Sequence, residues 1–293
     1  MAAELYTEHF GFSERPFSLS PDPDFMFYSK AHARAFSVLE YGLTTRAPLT
    51  LMTGEVGMGK TTLLQALLRE TTSDITLGLI SNAQGDRGDL LRWVLNALDV
   101  PLPAETDYVS LFQCFQDFVI SEYAEGRHVV LIIDEAQNLG TEMLEELRML
   151  TNINSSKYEL LQIILAGQPE LRMLVSRPEL RQFAQRVTAT FHLDPFNRTD
   201  TAAYIRHRLQ VVGGTGNEIS PQAVTRIHNE SGGIPRIINK LCDLGLVYTA
   251  SAGKDVMGKA IIGELIRDGI ILKPAPPPYL LTDPIDPSPK AAE

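Results

Sequence analysis

Gly54-Glu55-Val56-Gly57-Met58-Gly59-Lys60-Thr61 is a complete G-x-x-x-x-G-K-T stretch, and its setting decides the fold. An apolar run from Leu49 to Met52 precedes it and reads as a buried strand; Thr62 to Arg69 follows and reads as a helix. The glycines at 54, 57 and 59 permit backbone angles closed to other residues, so consecutive N–H groups can turn toward one anion. The N-terminal end of the following helix adds partial positive charge. Lys60 is expected to meet the β- and γ-phosphates of a nucleotide, and the Thr61 hydroxyl to complete a magnesium shell, with Thr62 the last residue of the cradle. Glycine-rich turns between strand and helix also occur without ligands, but the whole motif in this setting favours a nucleotide site.

Reading outward, strands are predicted at Ile75 to Ile80, Val129 to Ile133, Leu160 to Ala166 and Val187 to Leu193. Helices are predicted at Ser29 to Leu43, Asp89 to Leu98, Val109 to Tyr123 and Glu142 to Leu150, with Trp93 expected in the core. Short apolar β-branched runs alternating with helices imply an α/β fold, a three-layer αβα core with a mainly parallel sheet covered on both faces. From Thr199 the strand signals stop. Helices are predicted from Thr199 to Val211, after Ser220-Pro221, after Gly232-Gly233-Ile234-Pro235 and over about 255–268, a small all-helical lid. The expected organisation is an aromatic and proline-rich N-terminal strap with a lead-in helix (1–45), an α/β nucleotide-binding core (46–197), a helical lid (198–271) and a disordered proline-rich tail (272–293). The strap's aromatics, Tyr6 to Tyr28, are expected to pack irregularly on the core and in part to bracket a base.

Composition narrows the class. Net charge is −10, with 26 Lys and Arg against 36 Asp and Glu, which argues against a general nucleic-acid coat while leaving room for a local basic groove. Nucleic acid is therefore not a favoured partner. Cys114 and Cys242 both fall in apolar helical patterns and read as buried free thiols. No apolar run approaches the roughly 20 residues of a membrane span, so no transmembrane segment is expected. With no signal pattern at the start, the expected location is cytoplasmic. The six histidines show no metal-ligand spacing, and most of them read as surface or edge residues.

Asp134 and Glu135 close the predicted strand 129–133. A carboxylate at such a strand end can hold the magnesium's water shell, and its neighbour can orient and deprotonate an attacking water. Two acids could mark only a turn, but after a complete phosphate loop the hydrolytic reading is preferred.

With these motifs go the phrases FGFSERPFSLSPDPDFMFYSKAHARAF, LMTGEVGMGKTT, IIDEAQNL, LLQIILAGQPEL and GGIPRIINKLCD. Together they resemble the AAA+ ATPases, and in wording the general secretion pathway protein A branch, over nearly all of residues 5–270. The resemblance implies ATP and Mg2+ as ligands and ATP hydrolysis as the activity. It implies Gln168 as the sensor-1 residue, with Asn152 and Asn154 as alternatives. It implies Arg236 as the sensor-2 arginine and Arg186, with Arg181 behind it, as a finger reaching a neighbouring subunit's site. It implies a homo-oligomer with shared active sites, serving a cell-envelope secretion or exopolysaccharide export system, with peripheral association at the inner membrane allowed. That branch's type member continues into a membrane span and a periplasmic domain, so direct action on the cell wall is not expected of this chain, and shorter relatives of exosortase systems fit the length better. The competing readings are a DNA-associated AAA+ regulator of the transposition type and a nucleotide-binding interaction scaffold.

Overall fold

A computed structural model describes residues 2–69, 73–81, 89–154 and 159–269 of the 293-residue chain; the expected tail, 272–293, lies outside the described residues. Five strands, β1 (Leu49–Gly54), β2 (Ile75–Ile80), β3 (His128–Ile133), β4 (Leu161–Gly167) and β5 (Val187–Leu193), form one parallel sheet in the order β2-β3-β4-β1-β5. The phosphate loop's strand β1 therefore sits between β4 and β5, both from later in the chain.

Alternate strand residues feed opposite layers, as the pleat requires. Leu49, Leu51, Val129, Leu131, Ile133, Ile163 and Leu165 pack on α4 (Asp89–Ala97), α5 (Tyr108–Ala124), α6 (Thr141–Leu150), α7 (Pro169–Val175) and α8 (Arg181–Ala184). Met52, Val130, Ile132, Ile164 and Ala166 face α2 (Lys30–Thr44) and α3 (Lys60–Arg69). β1, β3 and β4 are buried along their whole length, which explains why they read as unbroken apolar runs rather than alternating ones.

Beyond β5, α9 (Arg198–Val211), α10 (Pro221–Ser231), α11 (Pro235–Ser251) and α12 (Lys259–Arg267) gather around a second core. Ser220 caps α10 through the Ala223 N–H, with Pro221 in the first turn, and Asn197 caps α9.

The N-terminal aromatics depart from expectation. The segment opens with a helix, α1 (Ala2–Phe10), since the prolines begin only at Pro16. Tyr6, Phe12, Phe17 and Phe25 are buried in the core of the C-terminal helices rather than on the sheet, whose two faces α2–α8 already cover. Tyr6 donates to Asp243 of α11 (2.6 Å), and Arg15 pairs with the same carboxylate. Trp93 is also displaced from its expected place: it is 44% exposed. The buried stripe of α4 runs through Leu90, Leu91, Val94 and Leu95, and at 100° per residue position 93 falls off it. Cys242 is buried but Cys114 only half-buried, and both thiols are free. His32 and His128 are buried, not at the surface. No helix among the described residues is long and apolar enough to cross a membrane.

Candidate nucleotide site

The loop between β1 and α3 lies at the carboxyl end of the sheet, where α3 begins with Lys60. Gly57 and Gly59 have φ of 81° and 88°, angles that only glycine takes without strain. At Gly57 space is also decisive: an added Cβ would lie 2.4 Å from the Arg236 Cβ. The Arg236 N–H donates to the Gly57 carbonyl at 3.1 Å, so the first turn of α11 rests directly on the loop. The turn that delivers it is equally tight, because a Cβ at Gly233 would lie 2.0 Å from the Phe196 carbonyl oxygen.

Lys60 is 5% exposed and its Nζ donates to the carbonyls of Gly54 (2.7 Å) and Glu55 (3.1 Å). Burial pushes its ammonium below the ordinary lysine value, against the pull of the Glu135 and Asp134 carboxylates. The Thr61 hydroxyl donates to Asp134 at 2.6 Å. A hydroxyl and a carboxylate converging at the start of the helix are the hard oxygen donors that magnesium takes, so the residues fit that ion.

Glu135 follows β3 in the left-handed region, with φ 53°, at a cost of about 1–2 kcal/mol. Its N–H donates to Asp134 Oδ1 (2.9 Å). Gln137 Nε2 donates to its carboxylate at 2.6 Å and Gln168 Nε2 at 3.2 Å, while the Gln168 N–H donates to Gln137 Oε1 at 2.9 Å. Burial raises the Glu135 carboxyl's pKa, but the two amides and the Lys60 charge outweigh it and hold the group below the ordinary glutamate value. A carboxylate that stays ionised beside a buried ammonium is in the state a general base needs.

The structure thus brings Lys60, Thr61, Asp134, Glu135, Gln168 and the start of α11 with Arg236 to one end of the sheet. Arg186 is elsewhere. It precedes β5, and β5 pairs Val187 with Leu49 but Leu193 with Gly54, so the two ends are about 16 Å apart at roughly 3.3 Å per residue. Its guanidinium donates to the Thr151 hydroxyl (2.9 Å) and Asn152 Oδ1 (2.6 Å). Arg181 opens α8 and is exposed. Of the alternatives to Gln168, Asn154 bonds Leu160 and Leu161 at the start of β4, the opposite end of the strand from Gln168, and Asn152 accepts from Arg186.

Two contributors escaped the sequence reading. Gln137 carried a signal, two places after Glu135, but nothing said which way its amide would turn. His32 carried none. It is 3% exposed, receives or donates a hydrogen bond with Ser29 Oγ (2.9 Å), and reaches the Met58 carbonyl in the phosphate loop (3.0 Å). Burial pushes its pKa down, over the opposing effects of the Met58 carbonyl and Asp200. An unfolded imidazole takes up its proton near pH 6.5. Below that pH the unfolded chain therefore binds more protons, and stability falls as pH drops. His128 and His207 are also lowered, chiefly by burial. Thermal unfolding from about pH 7.5 to about 5.5 should show the wild-type midpoint falling more steeply than that of His32→Gln, which should itself be about 1–2 kcal/mol less stable at neutral pH. Equal slopes would remove His32 from this role.

The strand order, with a phosphate loop on an inner strand and a helical cap resting on it, is the P-loop NTPase fold of the AAA+ type. Residues 44–175 match the AAA domain family. More particularly, the chain is 40% identical over 249 residues to General secretion pathway protein A of Aeromonas hydrophila. That match covers 85% of this chain and 46% of the relative, so the chain spans less than half the relative's length. Among solved structures, the Aeropyrum pernix ORC2 protein superposes with a TM-score of 0.65 at 14% identity, over 87% of this chain and 72% of that one. Pyrobaculum aerophilum CDC6P gives 0.64 at 14%, over 92% and 74%. The Thermotoga maritima RuvB branch migration motor gives 0.53 at 17%, over 82% and 69%. At these identities the likeness concerns the fold alone.

Proposed function

We propose that the chain is an ATP hydrolase that works as an oligomer with shared sites and serves the assembly of a secretion or polysaccharide export system. The observation that carries the hydrolytic reading is the Glu135 carboxylate, ionised and fixed by Gln137 and Gln168 within the influence of Lys60. Lys60, released from the Gly54 and Glu55 carbonyls, meets the β- and γ-phosphates, while the loop's N–H groups wrap them. Thr61 and Asp134 would hold Mg2+, which supplies charge neutralisation at the phosphates when bound. Glu135 takes a proton from the attacking water, and Gln168 orients that water or the γ-phosphate. Arg236 follows α11 onto the γ-phosphate from the lid side, and Arg186 acts on the site of an adjacent copy.

The link to secretion rests on the likeness to General secretion pathway protein A. The location proposed with it is cytoplasmic, with attachment at the inner membrane through a partner. Phosphate release from ATP with Mg2+ tests the activity, and adding duplex DNA in the same assay tests the DNA-associated alternative, for which no stimulation is expected. Lys60→Ala should lower ATP affinity by at least about 100-fold, since it removes a charge-assisted contact with phosphate from a buried position. A fluorescent ATP analogue titrated with Mg2+ checks this; unchanged affinity would show that the loop is not the nucleotide site.

A further inference from the structure

The cleft that contains Lys60, Thr61 and Glu135 runs on from the phosphate loop toward the N-terminal strap and the C-terminal helices. There it is lined by Phe25, Phe27, Phe196, Tyr204, Arg208 and Asn239. A triphosphate seated on the loop leaves this aromatic half of the cleft for the base.

Arg208, on α9, is an unusual member of that wall, because it is a cation only 6% exposed. Its guanidinium lies 4.5 Å from the centroid of the Phe25 ring. Two of its three nitrogens are committed: Nε donates to the Pro16 carbonyl (2.5 Å) and Nη1 to the Tyr204 hydroxyl (2.9 Å). Tyr204 in turn donates to Asn239 Oδ1 (2.7 Å), and Asn239 Nδ2 to the Ser18 carbonyl (3.4 Å). The third nitrogen, Nη2, is buried and finds no hydrogen-bond partner among the described residues. A buried donor on a charged group is costly to leave unmade. None of the described residues supplies the acceptor, and Arg208 borders the cleft, from which one can be supplied.

We propose that Arg208 reads the nucleobase, with Nη2 donating to a ring nitrogen of adenine. This rests on the reading of the cleft as an ATP site, and it makes α9 the source of a specificity-determining residue. With Nε committed to the Pro16 carbonyl, the side-on Nε–Nη2 fork that would match the paired O6 and N7 acceptors of guanine is closed. A single nitrogen suits the isolated acceptors of adenine, N1, N3 or N7. The stack on Phe25 and the bond to the Pro16 carbonyl hold the guanidinium in place before the base arrives, so little side-chain freedom is lost on binding.

The test is calorimetric titration of the full chain with ATP, tripolyphosphate and the 1-, 3- and 7-deaza analogues of ATP, each with Mg2+. For the wild type, one analogue should bind about ten- to a hundredfold more weakly than ATP, the effect of one hydrogen bond to a charged group. Arg208→Met, which fills similar volume, should weaken ATP by a similar factor, leave tripolyphosphate unchanged, and show no further loss with that same analogue. If all three analogues bind the wild type as ATP does, Arg208 makes no base contact; this arm needs no variant to fold. If Arg208→Met weakens ATP and tripolyphosphate equally, the residue only braces the strap, and the proposal fails. Absence of binding by both ATP and tripolyphosphate would instead remove the nucleotide site itself.

Discussion

Arg186→Ala is expected to lower ATP turnover by about 10³–10⁵-fold, the effect of arginines supplied in trans to phosphoryl transfer. Arg186 stands before the first residue of β5, which pairs with Leu49 at the far end of the strand from the phosphate loop. It cannot meet a nucleotide bound in its own subunit, but a guanidinium presented at that edge is available to a neighbour. Thr151 and Asn152 hold it there. Those same bonds supply the competing explanation, that Arg186 only ties the start of β5 to the turn after α6. In that case Arg186→Ala would cost about 1–3 kcal/mol of stability and leave turnover per folded subunit intact. Mixing distinguishes the two. Arg186→Ala retains its loop and Glu135→Gln retains its arginine, and each alone should be nearly inactive. Together they form some interfaces with one intact member of each kind, and part of the activity should return. No recovery on mixing, with both variants folded and associated, would count against the trans role, as would full activity of Arg186→Ala.

Glu135→Gln should lower phosphate release by about 10²–10⁴-fold while leaving ATP affinity within a few-fold of wild type. The amide matches the carboxylate in size but cannot accept the water's proton. Gln137 and Gln168 sharpen the expectation. Both turn N–H groups toward the Glu135 carboxylate, and an amide at 135 can satisfy them with its oxygen alone. The fold should therefore tolerate the change, with a thermal midpoint close to wild type. A variant that hydrolyses ATP at the wild-type rate would show that the base lies elsewhere; Glu135→Gln that fails to bind ATP would show that the residue shapes the site instead.

The parts legible in the sequence were those fixed by local rules. β1, β3 and β4 announced themselves because burial on both faces demands unbroken apolar runs, and the Ser220-Pro221 start of α10 because capping is chemistry within one turn. Lys60, Thr61, Asp134 and Glu135 were legible because the loop motif and the strand end are each contiguous. What the sequence hid depends on contacts between distant segments. His32 reaches the loop across 26 residues, and Arg208 meets Pro16 across 192. The strap's aromatics gave no sign of which core they would join. That was settled by the sheet being already covered and the C-terminal helices having an open side. Trp93 was expected in the core, but the phase of α4 turns it outward.

Binding of ATP in the cleft between the phosphate loop and α11, with hydrolysis driven by Glu135, is the core of the proposed mechanism. It is tested most directly by identifying the nucleotide retained on the protein after incubation with Mg2+ and labelled ATP and rapid removal of the excess. ADP is expected on the wild type, ATP on Glu135→Gln and no nucleotide on Lys60→Ala. Equal nucleotide on Lys60→Ala and wild type, or ADP formed on Glu135→Gln as fast as on wild type, would contradict it.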